Sequence, residues 1–188
     1  VMNKTQLTNF ITKYTLGGEI KSTKWTSDGN SLSTRFISGD KSVVGKVELN
    51  KFSHLSPCEL GVYNTGQLSS LLSVLGDDID LNLSQSGDKF ISMEFEDTNR
   101  KTKSKYMLSD LSVIPTPPAL KNLPDSFELG IKVDPYFVNT FISGKGALSE
   151  AETFTILTEN GETKIVIGYA SIASNRVTIP VETTKSAE

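Results

Sequence analysis

The stretch from Leu60-Gly61-Val62 to Asp97 is echoed in outline by Leu129-Gly130-Ile131 to Ala170, and this internal repeat restricts the possible folds more than any other feature of the chain. In the earlier copy an apolar strand ends at Asn64, and a helix follows through Gln67, Leu68, Leu71, Leu72 and Leu75. Two strands then turn around Ser86-Gly87. The later copy runs to Val133, takes Asp134 as helix N-cap with Pro135 at the first helical position, and places Phe137, Val138, Phe141 and Ile142 on its helix before strands around Asn160-Gly161. A supersecondary unit of this kind cannot bury its apolar face alone, so repetition implies a scaffold assembled by duplication.

The N-terminal region supplies a third copy. Lys4 to Tyr14 spaces Leu7, Phe10, Ile11 and Tyr14 as one buried helical face, with Lys4 and Lys13 elsewhere on the helix. Gly17-Gly18 ends that helix. Strands are expected at Glu19 to Thr26, Ser31 to Ser38 and Ser42 to Leu49, punctuated by Asp28-Gly29-Asn30 and Gly39-Asp40. The second unit reads as a strand from Glu59 to Tyr63, a helix ending at Gly76, and strands Ile79 to Ser84, Phe90 to Glu96 and Lys103 to Leu108. The third reads as strand Phe127 to Val133, helix Asp134 to Gly146, and strands Thr153 to Thr158, Lys164 to Tyr169 and Arg176 to Val181, with only a polar tail after Glu182.

Between the second and third units, Val113 to Pro124 breaks all periodicity with Pro115, Pro117, Pro118 and Pro124. Proline lacks a backbone donor, so this segment is expected to be an extended connector. The expected organisation is a first domain over 1–112 holding two repeats, a connector over 113–126, and a second domain over 127–188 holding one repeat. The fold class is α+β: repeated βαβββ units with helices on one face of curved antiparallel sheets. The second domain is expected to be incomplete, with an unpaired strand edge and a half-covered helix that either a longer chain or another subunit would fill.

Composition narrows the function. The single cysteine, Cys58, and single histidine, His54, exclude a disulfide framework and a His/Cys metal site within one chain, which fits a reducing cytoplasm. No apolar run approaches the roughly 20 residues that span a bilayer, so no membrane association is expected. The formal net charge of -3 argues against a nucleic-acid binder held by charge over its whole surface. Its distribution is uneven. Residues 1–60 carry eight Lys/Arg against five Asp/Glu, whereas residues 61–128 carry six against ten.

Three segments carry a family resemblance. They are Val62-Tyr63-Asn64-Thr65-Gly66-Gln67-Leu68-Ser69-Ser70-Leu71-Leu72-Ser73-Val74-Leu75 followed by Asp77-Asp78; Lys105-Tyr106-Met107-Leu108-Ser109-Asp110-Leu111-Ser112-Val113-Ile114-Pro115; and Arg176-Val177-Thr178-Ile179-Pro180-Val181. Together with the order of the repeats, they resemble DNA polymerase sliding clamps, and most closely those of T4-type bacteriophages. The resemblance implies the DNA-clamp fold and a processivity factor that encircles double-stranded DNA without sequence specificity. It also implies a homotrimer, a clamp loader, a DNA polymerase as partner and the cytoplasm of a phage-infected bacterium. Neither cofactor, metal nor catalytic residue is implied. The sequence stops short of the further helix and strands that complete the second domain in that family.

Candidate DNA contacts are Lys4 and Lys13 on the first helix, Lys145 on the third, and Lys21 and Lys24 nearby. The competing view is that they simply keep amphipathic helices soluble. Arg100, Lys101, Lys103 and Lys105 read as a solvated hairpin. Tyr106, Leu108, Leu111, Val113, Ile114 and Leu123 could border a groove for a partner peptide, or belong to the core. An enzyme finds no foothold: His54 beside Ser53 is not a triad, Asp77, Asp78 and Asp80 lack the spacing of a calcium loop, and no phosphate-binding glycine motif occurs. The remaining rival is a Ser/Thr-rich β-structural or adhesion module without DNA binding, for which Asn3-Lys4-Thr5 and Asn82-Leu83-Ser84 are formal glycosylation sequons.

Overall fold

The computed structural model describes residues 1–185, and the last three residues of the expected tail, 186–188, lie outside it. The chain divides into a first compact unit, Val1–Lys121, and a second that begins at Asn122, a division inside the proline-rich stretch.

The first unit holds two βαβββ repeats. One consists of β1 (Met2–Asn3), α1 (Lys4–Thr15), β2 (Thr23–Ser27), β3 (Ser31–Ile37) and β4 (Val44–Asn50). The other consists of β5 (Cys58–Val62), α2 (Thr65–Ser73), β6 (Asp78–Ser86), β7 (Lys89–Asp97) and β8 (Lys103–Met107). Neither repeat keeps its leading strand. β1 joins the other repeat's sheet, giving the order β1-β6-β7-β8, and β5 joins the first, giving β4-β3-β2-β5. Every one of these pairings is antiparallel, with Met2 opposite Ile79 in one exchange and Leu60 opposite Trp25 in the other.

The two helices repeat this reciprocity. Each N-cap is an asparagine: Asn3 accepts from the Thr5 amide and Asn64 from the Gln67 amide. The first residue of α1, Lys4, donates its Nζ proton to the Leu75 carbonyl beyond the end of α2, at 2.6 Å. The first residue of α2, Thr65, meets the Tyr14 hydroxyl near the end of α1, at 2.8 Å. The helices therefore run antiparallel. Their apolar stripes enter one core, in which Phe10, Tyr14 and Trp25 make edge-to-face contacts with Phe10 to Trp25 centroids 5.3 Å apart. Trp25 Nε1 donates to the Tyr14 hydroxyl, which ties β2, α1 and α2 together through two buried hydrogen bonds.

The second unit holds one repeat: β9 (Gly130–Ile131), α3 (Pro135–Ala147), β10 (Phe154–Glu159), β11 (Glu162–Ile167) and β12 (Val177–Val181). Asp134 caps α3 by accepting from the Phe137 amide at 2.7 Å, with Pro135 at the first helical position as the sequence implied. The sheet order is β10-β11-β12.

Three expectations need correction. The strand read from Glu19 begins only at Thr23, because Gly17 and Gly18 adopt positive φ and the Ile20 amide closes back on the Thr15 carbonyl, which makes residues 19–22 a connection. The strand read over 127–133 shrinks to β9, which among the described residues pairs with one short segment. That segment is β13 (Thr183–Lys185), formed by residues expected to be only a polar tail and held further by the Lys132 amide donating to the Glu182 carbonyl.

Leu72 of α2 is fully buried in the core of the first unit. Leu72→Ala is expected to destabilise the first unit by about 2–5 kcal/mol, read as a lowered urea midpoint with an unchanged slope. A loss under about 0.5 kcal/mol would show that the helix layer is not packed as described.

Candidate nucleic-acid interface

The three α-helices of the described residues are where the charge asymmetry of the chain resolves. None of the chain's 22 Asp and Glu lies in α1, α2 or α3, although each helix would gain from a carboxylate in its first turn. The cations on these helices are Lys4, Lys13 and Lys145. The exposed face of the α1/α2 pair is otherwise neutral and polar: Thr5, Gln6, Asn9 and Thr12 on α1, with Gln67, Ser70 and Ser73 on α2. Such side chains donate hydrogen bonds to phosphate without reading bases. Sequence reasoning looked for lysines and passed over these residues; the absence of acids in every helix was the signal that could have found them.

The five candidate lysines are not equivalent. Lys13 is exposed on α1. Lys21 is exposed beside a cleft of about 590 Å³ lined also by Thr12, Thr15, Asn64, Gly66 and Ser69, between the end of α1 and the start of α2. Lys4 is half-buried, and its ammonium is held on the Leu75 carbonyl, where it complements the negative end of α2. Lys24 alternates with the core residues Thr23 and Trp25, so it points to the sheet face away from the helices, where its Nζ donates to Thr116 Oγ1 at 2.7 Å. Lys145, in the second unit, is half-buried and donates to the Ser149 carbonyl at 3.0 Å. Lys13 and Lys21 are thus brought to the helix side of the first unit, and Lys24 is not.

The hairpin cations behave as the solvated reading expected. Lys103 and Lys101 pair with Glu96, and Lys105 pairs with Glu94 across the β7/β8 ladder. At the base of this hairpin the buried Asp97 carboxylate accepts from the amides of Arg100, Gly76 and Asn99, which holds its pKa below the ordinary carboxylate range.

Around the connector, Tyr106 and Ile114 are committed to the core. The Tyr106 hydroxyl accepts from the Asn64 amide at 2.9 Å and so fixes the entry to α2, while Ile114 packs beside Gly61. Val113 and Leu123 are exposed, the latter in the second unit. Leu108 and Leu111 do come together: with Phe90 and Ile91, which the sequence did not single out, they line a cavity of about 370 Å³ rimmed by Glu59, Lys89 and Asp110. The connector itself runs over the outer face of β2 and β3, where Arg35 reaches the Pro118 carbonyl.

Paired βαβββ repeats with exchanged leading strands and side-by-side helices define the DNA-clamp fold, and solved clamps share it. The chain is similar to the proliferating cellular nuclear antigen of Entamoeba histolytica, with a TM-score of 0.59, 16% identity, 98% of this chain and 75% of that one covered. It is also similar to a chain of the PCNA2-PCNA3 complex of Sulfolobus tokodaii, with a TM-score of 0.60, 13% identity, 94% of this chain and 70% of that one covered. These structural neighbours are PCNA-type sliding clamps. No protein-family model and no curated protein matches the chain.

Two outcomes test this geometry. Lys4→Met keeps the side-chain length but removes the proton donated to Leu75, and is expected to lower stability by about 1 kcal/mol. For Asp97 the folded pKa is depressed, so its contribution is present above the unfolded value and lost as pH falls through the folded one. The acid limb of a urea-stability profile should therefore flatten in Asp97→Asn; an unchanged acid limb would contradict the three-amide cradle.

Proposed function

We propose that this chain is a subunit of a sliding clamp: a ring that encircles duplex DNA without sequence specificity and holds the replicative polymerase to its template. The acid-free helix layer on an otherwise acidic protein carries this reading. A topological link needs little binding energy, because escape requires the ring to open. Only the surface facing DNA must then avoid repelling phosphate, and weak contacts leave the ring free to slide. In this proposal Lys13 and Lys21, with the neutral polar side chains of α1 and α2, face the duplex. Lys145 adds to the same role from α3, and Lys4 contributes positive potential while bound to Leu75. Lys24 is assigned the lesser part of a distant charge.

The rest of the reading follows the family resemblance: a homotrimeric ring, loading by a clamp loader, kinship with T4-type phage clamps, and action in the cytoplasm of an infected bacterium. The apolar pocket of Leu108, Leu111, Phe90 and Ile91 is the proposed seat for a partner peptide, bordered by exposed Val113. The adhesion reading is less well supported, because two packed helices cover the sheets of the first unit where a helix-poor sandwich would have none.

The test is primer extension on a long, singly primed circular template with the matching polymerase and loader. Addition of the protein should lengthen the products of single binding events severalfold. Lys13→Glu with Lys21→Glu should reduce that gain and lower the salt sensitivity of DNA retention by roughly one to two counterions. Absence of any stimulation by the unaltered protein contradicts the proposal.

A further inference from the structure

In the sheet ordered β4-β3-β2-β5, strand register sets three cations in one row. Lys24 of β2 lies directly opposite Arg35 of β3, and Arg35 lies directly opposite Lys46 of β4. All three point to the face away from the helices, because Thr23, Trp25, Thr34 and Phe36, which alternate with them, are buried, and Val47 packs on the core. Like charges directly opposite each other across strands weaken the sheet that bears them. Compensation within the first unit is partial. Lys46 pairs with Glu48 at 3.0 Å, whereas among the described residues neither Lys24 nor Arg35 meets a carboxylate. Their partners are neutral acceptors on the connector: Lys24 Nζ donates to Thr116 Oγ1 at 2.7 Å, and Arg35 Nη1 to the Pro118 carbonyl at 3.5 Å. An ammonium has three donors and a guanidinium five, so both cations have donors beyond these contacts. Beside them lies a cavity of about 300 Å³, lined also by Thr26, Ser33 and Glu59.

We propose that this cavity is a carboxylate-binding site, with Lys24 and Arg35 as its cations, and that it docks an acidic segment of a protein partner. The connector contacts hold both side chains in place before the ligand arrives, which removes part of the ordering cost of binding. The planar Arg35 guanidinium matches a carboxylate through two parallel N–H···O bonds, the Lys24 ammonium adds a point charge, and the Thr26 and Ser33 hydroxyls add donors. The neighbouring row of the sheet favours a discrete anion over nucleic acid. Next to the cations run Glu59, Thr26, Ser33 and Glu48 in register, with a carboxylate at each end. A chain of phosphates crossing this face runs onto those carboxylates, whereas one or two acidic side chains fit between them. The site lies on the sheet face away from the helices, so this inference is independent of the DNA-binding proposal.

The experiment is a titration of the full chain with the peptide Gly-Ser-Asp-Glu-Glu-Asp-Ser-Gly, blocked at both ends, at low salt. Binding is read by amide NMR shifts and by fluorescence anisotropy of a labelled form. The expected result is a Kd of about 0.1–1 mM, weakening as salt rises, with the largest shifts at residues 24–26 and 33–35 and at Thr116. Lys24→Gln combined with Arg35→Gln should lower the affinity about tenfold or more. Lys101→Gln, which removes a cation from the solvated β7/β8 hairpin, should leave it unchanged. The NMR arm uses the unaltered protein, so a poorly folded double variant leaves the inference testable. Absence of shifts at these residues up to about 5 mM peptide overturns it. So does equal binding of the same peptide with Asn and Gln in place of Asp and Glu, or unchanged affinity in the double variant. Tighter binding of a thymidine oligonucleotide of the same length at the same residues assigns the row to nucleic acid and also overturns it.

Discussion

Reciprocal donation of a leading strand is the constraint on which the first unit depends. β1 is two residues long and could not persist as a strand alone, yet it completes the sheet of the repeat that follows it. β5 does the same in reverse over five residues. Each repeat therefore carries part of the other's hydrogen-bond ladder. The helices then have one orientation available, antiparallel, and the hydrogen bonds of Lys4 to Leu75 and Tyr14 to Thr65 lie at the two ends of that arrangement. With the chain crossing twice between halves, neither repeat can bury Leu7, Ile11, Leu68 or Leu72 without the other. The burial of these residues is the hydrophobic gain that offsets ordering both halves.

The same constraint explains which parts of the architecture were legible in the sequence. Helices with caps and apolar stripes were visible because local chemistry specifies them: Asp134 and Pro135 mark the start of α3 before any tertiary contact exists. The three-strand runs were visible through alternation and turn residues. What remained hidden was pairing across repeats. Met2 and Asn3 have no strand signature of their own, and Thr183 to Lys185 reads as polar tail; both become strands only because a partner edge is present. The candidate site was less legible for a related reason. Lysines can be counted in a sequence, but the orientation of Lys24 toward Thr116, or the capture of Lys4 by a carbonyl of the other repeat, depends on register between distant segments. Of the pocket walls, Leu108 and Leu111 were named from the sequence, whereas Phe90 and Ile91 were not, because they come from strand β7 and meet the segment after β8 only through the sheet register.

The proposed function rests on how charge is partitioned between layers. The strands and connections carry the carboxylates, several of them tied up locally: Glu94 and Glu96 with hairpin lysines, Asp97 in its cradle of amides, and Asp110 held well below the usual carboxylate range by the Ser112 amide and hydroxyl and by Lys89. The helices carry none. A protein that bound DNA by neutralising it would need an excess of cations; one that surrounds DNA needs only an inner wall that does not repel it. The proposed role requires the second arrangement, and the net charge of -3 is compatible with it.

The central physical claim, that the first unit is one cooperative body because its repeats hold each other's leading strands, is tested most directly by native-state amide hydrogen exchange under increasing denaturant. The account predicts that the paired amides of β1 with β6 and of β5 with β2 lose protection together with α1 and α2, at one common free energy. If instead the α1 repeat and the α2 repeat open separately, each retaining its own protected strands while the other exchanges, the interdependence of the two halves is refuted.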